Sequence, residues 1–258
     1  MCVAKVIWAW QVSLTLDFNK MKKIIIIGAS SGIGKELAKI FSLNGYEVGV
    51  AARKINLLEE LKSELPTKTY ISAIDIKDTN SAIKSLYKLI KDMREVDIIV
   101  ISSGIGHINP SLNWSQEKET IDTNVSGFTA MVGVAMNYFI KRDCGHLVGI
   151  SSISSIRGDD SGPAYSASKA FMSNYLEGLN KKSIKEKLDI TITDIQPGFV
   201  DTAMAKGDGL FWVAPVQKAA IQIYKAIQQK KRKAYITKRW ALVAWLLKIM
   251  PDFIYNKI

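Results

Sequence analysis

Residues 24–34 read IIIIGASSGIG, and this stretch decides the fold. The four isoleucines are typical of a strand that is buried on both faces of a parallel sheet. The glycines that follow are spaced G-x-x-x-G-x-G, and from Ile33 onward apolar residues recur at helical spacing. A strand, a glycine-rich turn and a helix in this order predict the first unit of a doubly wound α/β fold.

The glycine-rich turn has the features of a site for a nucleotide pyrophosphate. Gly28 permits a sharp turn after the strand, while Gly32 and Gly34 let the backbone approach a phosphate and let the helix pack against the sheet. The helix N-terminus adds unpaired N–H groups and a partial positive charge. Glycine-rich turns can also be purely structural, but the position of this one in the first βα unit favours phosphate binding. We predict contacts from Gly28, Ser30, Ser31, Gly32, Ile33 and Gly34.

Strands and helices alternate along the rest of the chain. Apolar patterning predicts strands at 46–51, 69–74, 96–101, 146–150, 190–195 and 234–237, and helices at about 33–45, 57–65, 83–90, 116–140, 163–187 and 215–229. Strict alternation requires right-handed crossovers and a parallel sheet that helices cover on both faces. The sequence therefore predicts one doubly wound, Rossmann-like α/β domain over residues 21–237, with a parallel sheet of about seven strands.

The two ends of the chain are expected to lie outside this domain. Met21 directly precedes the first strand, so we predict that residues 1–20 are a non-native or disordered extension. They contain neither a membrane-length apolar run nor a signal-peptide cleavage site. The apolar pattern of residues 238–258 predicts a helical tail. Basic residues lie nearby in the sequence, including the cluster at 230–233. The tail either lies on an anionic membrane surface or packs on the body or on a second subunit.

Composition limits the class of function. The chain has 258 residues, of which 48% are hydrophobic, and a formal net charge of +11. This charge favours anionic partners, but basic and aromatic residues are not interleaved as on a nucleic-acid platform, so we predict no nucleic acid. The two cysteines, Cys2 and Cys144, favour a reducing, cytoplasmic location, with peripheral membrane contact left open for the tail. His107 and His146 are far apart, and we predict no metal site.

The end of the second predicted strand decides which dinucleotide fits. An NAD enzyme has a carboxylate there for the ribose hydroxyls, but this chain has Arg53 and Lys54. Two cations can bind a 2′-phosphate, with Ser30 as a further donor, and this predicts NADP(H). The alternative is that both are ordinary solvated charges. Asp75, after the third strand, is predicted to bind the adenine amino group or, alternatively, to cap the next helix.

Tyr165 and Lys169 form the candidate catalytic pair. They lie at i and i+4, and so share one face of a predicted helix. An ammonium group near a tyrosine lowers the pKa of the phenol from about 10, which prepares it for acid–base catalysis. Such a pair alone also occurs on ordinary helix surfaces. Here it is accompanied by Asn124 in the preceding long helix, Ser152 after the fifth strand and residues 197–202 after the sixth.

In this combination the motifs resemble the short-chain dehydrogenase/reductase family, in the group with a Gly-x-x-x-Gly-x-Gly turn and an Asn-Ser-Tyr-Lys tetrad. The resemblance covers about residues 22–202, with the motifs in family order. It implies that Tyr165 is the general acid/base and that Lys169 lowers its pKa and holds the nicotinamide ribose. It also implies that Ser152 binds the substrate oxygen and that Asn124 supports a water linking the lysine to solvent. The family transfers the pro-S hydride and commonly forms homodimers or homotetramers.

The same resemblance completes the predicted cofactor site. Ser151, next to Ser152, is assigned to structure. Ser154 and Ser155 are also nearby, so the choice of Ser152 rests on its spacing from Tyr165. The family often has Asn-Asn-Ala-Gly where residues 101–104 read Ile-Ser-Ser-Gly, and a threonine where Ile27 stands, so we expect altered local hydrogen bonding rather than lost activity. The implied contacts, beyond the glycine turn and the second strand, come from Ile76, Ser103, Gly104, Tyr165, Lys169, Pro197, Gly198, Val200 and Thr202.

These motifs predict an NADP(H)-dependent oxidoreductase that moves a hydride between nicotinamide and a carbonyl or secondary alcohol. Two other functions stay open: a nucleotide-sensing module on a dehydrogenase fold, and an epimerase or isomerase with the same tyrosine chemistry. The segment after Thr202 is expected to form a substrate lid and to favour an apolar portion on the substrate, unless it packs on the body or a partner. Its apolar residues are Met204, Leu210, Phe211, Trp212 and Val213, with Gly207 and Gly209 for flexibility.

Overall fold

The computed structural model describes residues 22–203 and 211–257. Within them the chain forms a seven-stranded sheet in the order β3-β2-β1-β4-β5-β6-β7. Every neighbouring pair of strands is parallel. The predicted doubly wound parallel sheet is therefore confirmed. The predictions for residues 1–20, and for Met21 as the natural start, concern a segment outside the described residues.

The strands of this sheet are mostly short and buried. They are β1 Lys23–Ile27, β2 Glu47–Ala52, β3 Thr69–Ala73, β4 Ile98–Ile101, β5 Cys144–Ile150, β6 Asp189–Pro197 and β7 Lys233–Ile236. The helices are α1 Gly32–Leu43, α2 Ile55–Glu64, α3 Thr79–Met93, α4 Trp114–Ile121, α5 Phe128–Arg142, α6 Pro163–Lys185, α7 Val216–Gln228, α8 Trp240–Ile249 and α9 Asp252–Tyr255.

The first strand supplies both hydrophobic cores. Ile24 and Ile26 point into the core between the sheet and α1, α2 and α7. Ile25 and Ile27 point into the opposite core, which α3, α5 and α6 cover. All four side chains are fully buried. Because neighbouring side chains on a strand point to opposite faces, a run of isoleucine is what a strand covered on both sides requires.

The long helix predicted at about 116–140 is interrupted. It begins at Trp114 as α4, continues as a π-helical turn over Asp122–Gly127, and resumes as α5. A π turn adds one residue per turn, and such turns are frequent at functional sites. Strand β6 also runs to Pro197, beyond the predicted end at 195, because β7 pairs with its last residues.

The tail forms α8 and α9, in agreement with the helical prediction. Only Trp240 and Ala244 of α8 are buried against the body. Residues 230–232 precede β7, whereas α8 follows its other end. The four residues of that strand separate the two by about 13 Å. Among the described residues, no helix is both long and apolar enough to span a bilayer.

Candidate active site

The candidate site lies at the carboxyl ends of β1, β4, β5 and β6. Strand β1 pairs with β2 on one side and with β4 on the other, so the chain order reverses between β1 and β4. Doubly wound sheets bind ligands in the crevice outside such a switch point. The glycine-rich turn follows β1, and the segments after β4, β5 and β6 carry the other polar residues of the site.

The glycine-rich turn depends on close backbone packing. Gly28 has φ 91° and Gly32 has φ 54°, values that side chains with a Cβ rarely adopt. A β-carbon at Gly34 would lie 2.1 Å from the carbonyl oxygen of Gly28, so α1 can start this close to the turn only with glycine there. A β-carbon at Gly32 would lie 3.3 Å from the Cγ2 of Thr202. Two segments predicted to bind the same cofactor, far apart in sequence, thus meet across the crevice.

The N-terminus of α1 is open toward this crevice. Its cap residue Ser31 is exposed and makes no side-chain hydrogen bond to the helix, so the first N–H groups remain available. Arg53 and Lys54 follow β2, whose Ala51 carbonyl accepts hydrogen bonds from the N–H groups of Gly28 and Ala29. Both cations are exposed beside the turn, and neither forms an ion pair with another described residue. Helix N–H groups and two cations without an ion-pair partner among the described residues, beside a glycine turn, fit a phosphorylated dinucleotide.

After β3, the side chain of Asp75 is exposed and that of Ile76 is buried. Asp78, rather than Asp75, caps α3 by accepting from the N–H of Ser81 at 3.2 Å. The capping alternative for Asp75 is therefore wrong. Its exposed carboxylate accepts from the N–H of Lys77 at 3.1 Å. Ile76 is buried and lies against Gly127 of the π turn.

The segment after β4 forms one wall of the crevice. Ser103 lies against the glycine turn, since a β-carbon at Gly28 would be 2.6 Å from its backbone nitrogen. A β-carbon at Gly104 would be 3.2 Å from the Nζ of Lys169 and 3.3 Å from the Oδ1 of Asn124. The same atom on Gly106 would overlap the ring of Tyr165. This small-residue segment therefore lies directly beside three of the four tetrad residues.

Tyr165 and Ser152 are joined by a side-chain hydrogen bond. The tyrosine lies in the first turn of α6, and the serine follows β5 and caps a short 3₁₀ turn. Burial raises the pKa of Tyr165 above 10, and the hydrogen bond from Ser152 only partly opposes this rise. Tyr165 is therefore a protonated phenol at neutral pH. The causes of this pKa shift do not include Lys169, so the lowering of the phenol pKa by the lysine, which the resemblance implies, stays a prediction.

Lys169 is a buried cation one helical turn after Tyr165. Its side chain is 3% exposed, and its Nζ donates to the carbonyl oxygen of Ile150 at 3.1 Å. The Nζ lies 5.6 Å from the centroid of the Tyr165 ring. Burial lowers the pKa of Lys169 to about 8, against the opposing attraction of Asp194. The amine can therefore gain or lose a proton near physiological pH.

Asn124 is held in place by the π turn. It is fully buried, its Oδ1 accepts from the N–H of Ile105 at 2.9 Å, and its Nδ2 donates to the Ile105 carbonyl at 2.7 Å. The same Nδ2 donates to the Oγ of Ser168 at 2.9 Å. Ser168 precedes Lys169, so the asparagine links the wall after β4 to the part of α6 that carries the lysine. This arrangement places all four tetrad residues around one crevice.

The segment after β6 closes the crevice from the other side. Pro197 is buried as the last residue of β6, and the N–H of Gly198 donates to the Ile236 carbonyl at 2.6 Å. The side chain of Val200 is buried in the core, so only its backbone can face a ligand. Thr202 lies over Gly32, as described above. Phe211, Trp212 and Val213 are exposed, whereas Met204, Gly207, Gly209 and Leu210 of the predicted lid lie outside the described residues.

Three contributors were not found from the sequence. Asp194, buried in β6, accepts from the hydroxyl groups of Ser151 and Ser173 and from the Nε2 of Gln196. It thereby fixes the strand end that precedes Ser152 and adds negative charge near Lys169. A carboxylate amid the apolar residues of β6 was the available signal. Ser168 and Trp240 had no distinguishing pattern, since serine is common in helices and the tail already contained several aromatic residues.

The donors fit a nicotinamide dinucleotide rather than a metal ion. Backbone N–H groups and exposed cations lie beside the glycine turn, and the amine of Lys169 donates to the Ile150 carbonyl at the end of β5. Across residues 22–203 and 211–257, no three His, Cys, Asp or Glu side chains are grouped to hold a metal.

Comparison with known sequences found similar proteins. The family model described as short chain dehydrogenase matches residues 22–209. An uncharacterized oxidoreductase of Mycobacterium tuberculosis is 28% identical over 89% of this chain and 94% of its own length. An NADP-dependent 3-hydroxy acid dehydrogenase of Escherichia coli is 28% identical over 69% of this chain and 72% of its own length.

Solved structures agree on the fold. A serine dehydrogenase in its closed form with NADP+ superposes with a TM-score of 0.76 at 22% identity, covering 83% of this chain and 94% of that one. A short chain dehydrogenase/reductase from Burkholderia phymatum in complex with NAD gives a TM-score of 0.79 at 15% identity, covering 88% and 92%. At these identities the superpositions establish the fold alone, and the two proteins bind different dinucleotides.

Proposed function

Since the chain belongs to the short chain dehydrogenase family, we propose that it is an NADP(H)-dependent oxidoreductase for a carbonyl or secondary alcohol that carries an apolar portion. The family consists of oxidoreductases that act on CH–OH or C=O groups with a nicotinamide cofactor. The observation that carries the proposal is the placement of the buried Lys169 amine 5.6 Å from the centroid of the Tyr165 ring, with Ser152 beside the same phenol. A bound nicotinamide supplies or accepts the hydride, and this chain supplies the proton.

In the proposed reduction, Tyr165 gives its proton to the oxygen that gains negative charge. The raised pKa keeps the phenol protonated at neutral pH, so the donor is ready in the direction of carbonyl reduction. The Ser152 hydroxyl, already bonded to the phenol, orients the same substrate oxygen. A hydrogen bond that strengthens as the oxygen becomes anionic stabilises the transition state more than the ground state.

Lys169 is proposed to restore the proton after each turnover. Its pKa of about 8 allows it to pass a proton toward the phenol and to regain one. Asn124 holds the Ile105 backbone and Ser168 next to this amine, which supports its proposed role in a water-mediated relay to solvent. The proposed ribose contact of Lys169 would replace the present bond to the Ile150 carbonyl.

The preference for NADP(H) is proposed from Arg53 and Lys54. These two exposed cations follow β2 beside the glycine turn, and the described residues offer them no ion-pair partner. Ser30, half-buried in the turn, is proposed as a further donor. The remaining proposed contacts are those derived from the resemblance, including Asp75 for the adenine and the backbone around Gly198 for the nicotinamide amide.

The apolar portion of the substrate is proposed from the residues around the crevice mouth. Phe211 is 50% exposed and Trp212 is 43% exposed. The rings of both residues contact the ring of Trp240. Exposed aromatic side chains beside a catalytic crevice favour a ligand that covers them. A homodimer or homotetramer is proposed from the habit of the family.

Substrate profiling tests this function. Oxidation of NADPH and of NADH is followed against aldehydes, ketones and 3-oxo acid esters, each in a small polar and a larger apolar version. We expect NADPH-dependent turnover that increases with the apolar portion. Tight NADPH binding without turnover across the panel would instead indicate a nucleotide sensor. Interconversion of isomers without net consumption of NADPH would indicate an epimerase or isomerase.

A further inference from the structure

One face of α8 carries an apolar stripe that residues 22–203 and 211–257 leave exposed. Helix α8 is hydrophobic nearly all round and has Lys248 as its one charged residue. Trp240 and Ala244 face the body. The exposed apolar positions are Leu242, Trp245, Leu246 and Ile249, at i, i+3, i+4 and i+7. That spacing normally marks the buried face of a helix, with charged residues on the opposite side.

The stripe continues beyond α8 on both sides. Phe253 and Ile254 of α9 are exposed, at 69% and 42%. Toward the crevice, the guanidinium group of Arg239 lies over the ring of Trp212 and donates to its carbonyl oxygen at 3.2 Å. The exposed side chains of Phe211, Trp212 and Val213 therefore adjoin the first turn of α8. The apolar surface extends to the mouth of the candidate active site.

Polar contacts hold α9 against the body of the protein, and its apolar residues Phe253 and Ile254 are exposed. Arg157 pairs with Asp252 at 2.6 Å and lies over the ring of Tyr255. The Tyr255 hydroxyl donates to the Gly158 carbonyl at 2.6 Å. The polar contacts of α9 are thus made on the side toward the body, where Asp159 and Asp160 also lie near Tyr255. Phe253 and Ile254 stay exposed between these anchors.

The charges around the stripe are mainly positive. Between residues 237 and 257 the basic residues are Lys238, Arg239, Lys248 and Lys257, and the one acidic residue, Asp252, is paired with Arg157. An apolar stripe with tryptophan and flanking lysines suits a bilayer surface, where apolar side chains enter the headgroup boundary and basic ones bind anionic lipids. If a second copy of the chain packed on this surface, like charges would meet. A stable protein interface also needs about 20 residues from each partner, more than this stripe provides.

We propose that the α8 stripe and the adjoining α9 residues dock this protein onto an anionic membrane surface, with the mouth of the active site facing the lipid. The membrane would then supply apolar substrate directly to the crevice. The docking itself follows from surface residues alone and does not depend on the proposed reaction. Its test therefore needs no catalytic measurement.

Vesicle co-sedimentation of the full chain tests the proposal. We expect at least about tenfold stronger partition into vesicles of phosphatidylcholine with phosphatidylglycerol than into phosphatidylcholine alone, and a decrease as salt is added. The variant Leu242→Ser/Trp245→Ser removes two exposed apolar side chains without changing charge, and should weaken partition about tenfold or more. The variant Lys238→Gln/Lys248→Gln should weaken it about fivefold for each charge.

The matched control is Leu43→Ser/Ile184→Ser, since both residues are exposed and lie on α1 and α6, away from the stripe. It should partition like the wild type. Absence of vesicle binding, equal binding to both vesicle types, or unchanged binding by the Leu242/Trp245 variant would overturn the proposal. Sedimentation velocity without lipid tests whether a second subunit covers the stripe instead. A lower mass for the Leu242/Trp245 variant than for the wild type would show a subunit interface and not a membrane surface.

Discussion

Tyr165 and Lys169 show how burial controls the chemistry of single residues. Burial disfavours the charged form of each group, so it raises the pKa of the phenol and lowers that of the amine to about 8. Sequence spacing identified the pair, but i,i+4 spacing does not specify depth. The lowering of the Tyr165 pKa by Lys169 therefore stays a prediction, since burial is the largest cause of the shift in this structure. The hydrogen bond to Ser152 also follows from tertiary structure that spacing alone does not determine.

Arg53 and Lys54 provide the residue-level test of cofactor preference. Each proposed contact to a 2′-phosphate is a charge-assisted hydrogen bond worth about 1.5–3 kcal/mol. Arg53→Ala/Lys54→Ala should therefore weaken NADPH binding by at least about 100-fold, while leaving NADH binding within about threefold. Quenching of protein fluorescence gives both dissociation constants. Lys62→Ala, an exposed cation on α2, is the control and should change neither. Equal weakening of both cofactors by the double variant would argue against the phosphate contact.

His146 predicts a pH dependence of folding that is separate from catalysis. It is 6% exposed on β5, and its Nε2 lies 2.8 Å from the Oγ1 of Thr193. Burial lowers its pKa from 6.5 to about 4, assisted by the positive charge of Lys230. As pH falls from 6.5 to 4, the unfolded chain binds a proton that the folded chain resists, so the free energy of unfolding should decrease by roughly 3 kcal/mol.

Urea unfolding at several pH values measures this effect. His146→Gln removes the titrating group, so its stability should change less between pH 6.5 and 4 than that of the wild type. The other histidine, His107, is half-buried in the loop after β4, and His107→Gln should retain the wild-type slope. Parallel pH profiles for the wild type and His146→Gln would contradict the account.

At the scale of elements, α8 depends on one buried tryptophan. Trp240 is 2% exposed and packs against Gly198, where a β-carbon would lie 2.1 Å from its ring. It also contacts the rings of Phe199, Phe211 and Trp212. The helix thereby supports both the segment after β6 and the residues at the crevice mouth. The tail was predicted to be helical, but the sequence could not show which of its tryptophans faces inward.

Two tryptophans on the same helix test this support. Trp240→Ala leaves a buried cavity and should lower the free energy of unfolding by about 3 kcal/mol or more. Trp245→Ala removes an exposed ring and should change it by less than about 0.5 kcal/mol. Chemical unfolding of both variants without lipid gives the difference. Similar values for the two would show that α8 does not pack as described.

Element boundaries reveal what periodicity can and cannot predict. The strands were located because isoleucine and valine cluster there, and most helices because apolar residues repeat at helical spacing. The π turn at Asp122–Gly127 was missed because one extra residue in a turn barely alters that spacing. Yet this turn fixes Asn124, which anchors the Ile105 backbone. The residue was predictable from its motif, while the local geometry that positions it was not.

At the scale of the whole molecule, strand alternation was enough to predict the topology. When strands and helices alternate along a chain, the connections are right-handed and the strands form a parallel sheet. That topology brings the turn after β1 and the segments after β4, β5 and β6 to one edge of the sheet. Contacts such as Gly32 with Thr202 follow from it, although these residues are distant in sequence. The buried network around Asp194 could not be predicted from the topology, because it depends on which side chains meet behind the strand ends.

The most direct measurement of the central claim is the rate of NADPH-dependent carbonyl reduction by Tyr165→Phe, compared with NADPH affinity in the same variant. Tyr87→Phe, an exposed tyrosine on α3, serves as the control. If the Tyr165 phenol donates the proton, its loss should lower kcat by about 10²–10⁴-fold with NADPH affinity nearly unchanged, and the control should match the wild type. Retention of kcat within a few-fold in Tyr165→Phe would contradict the account, because another group would then supply the proton.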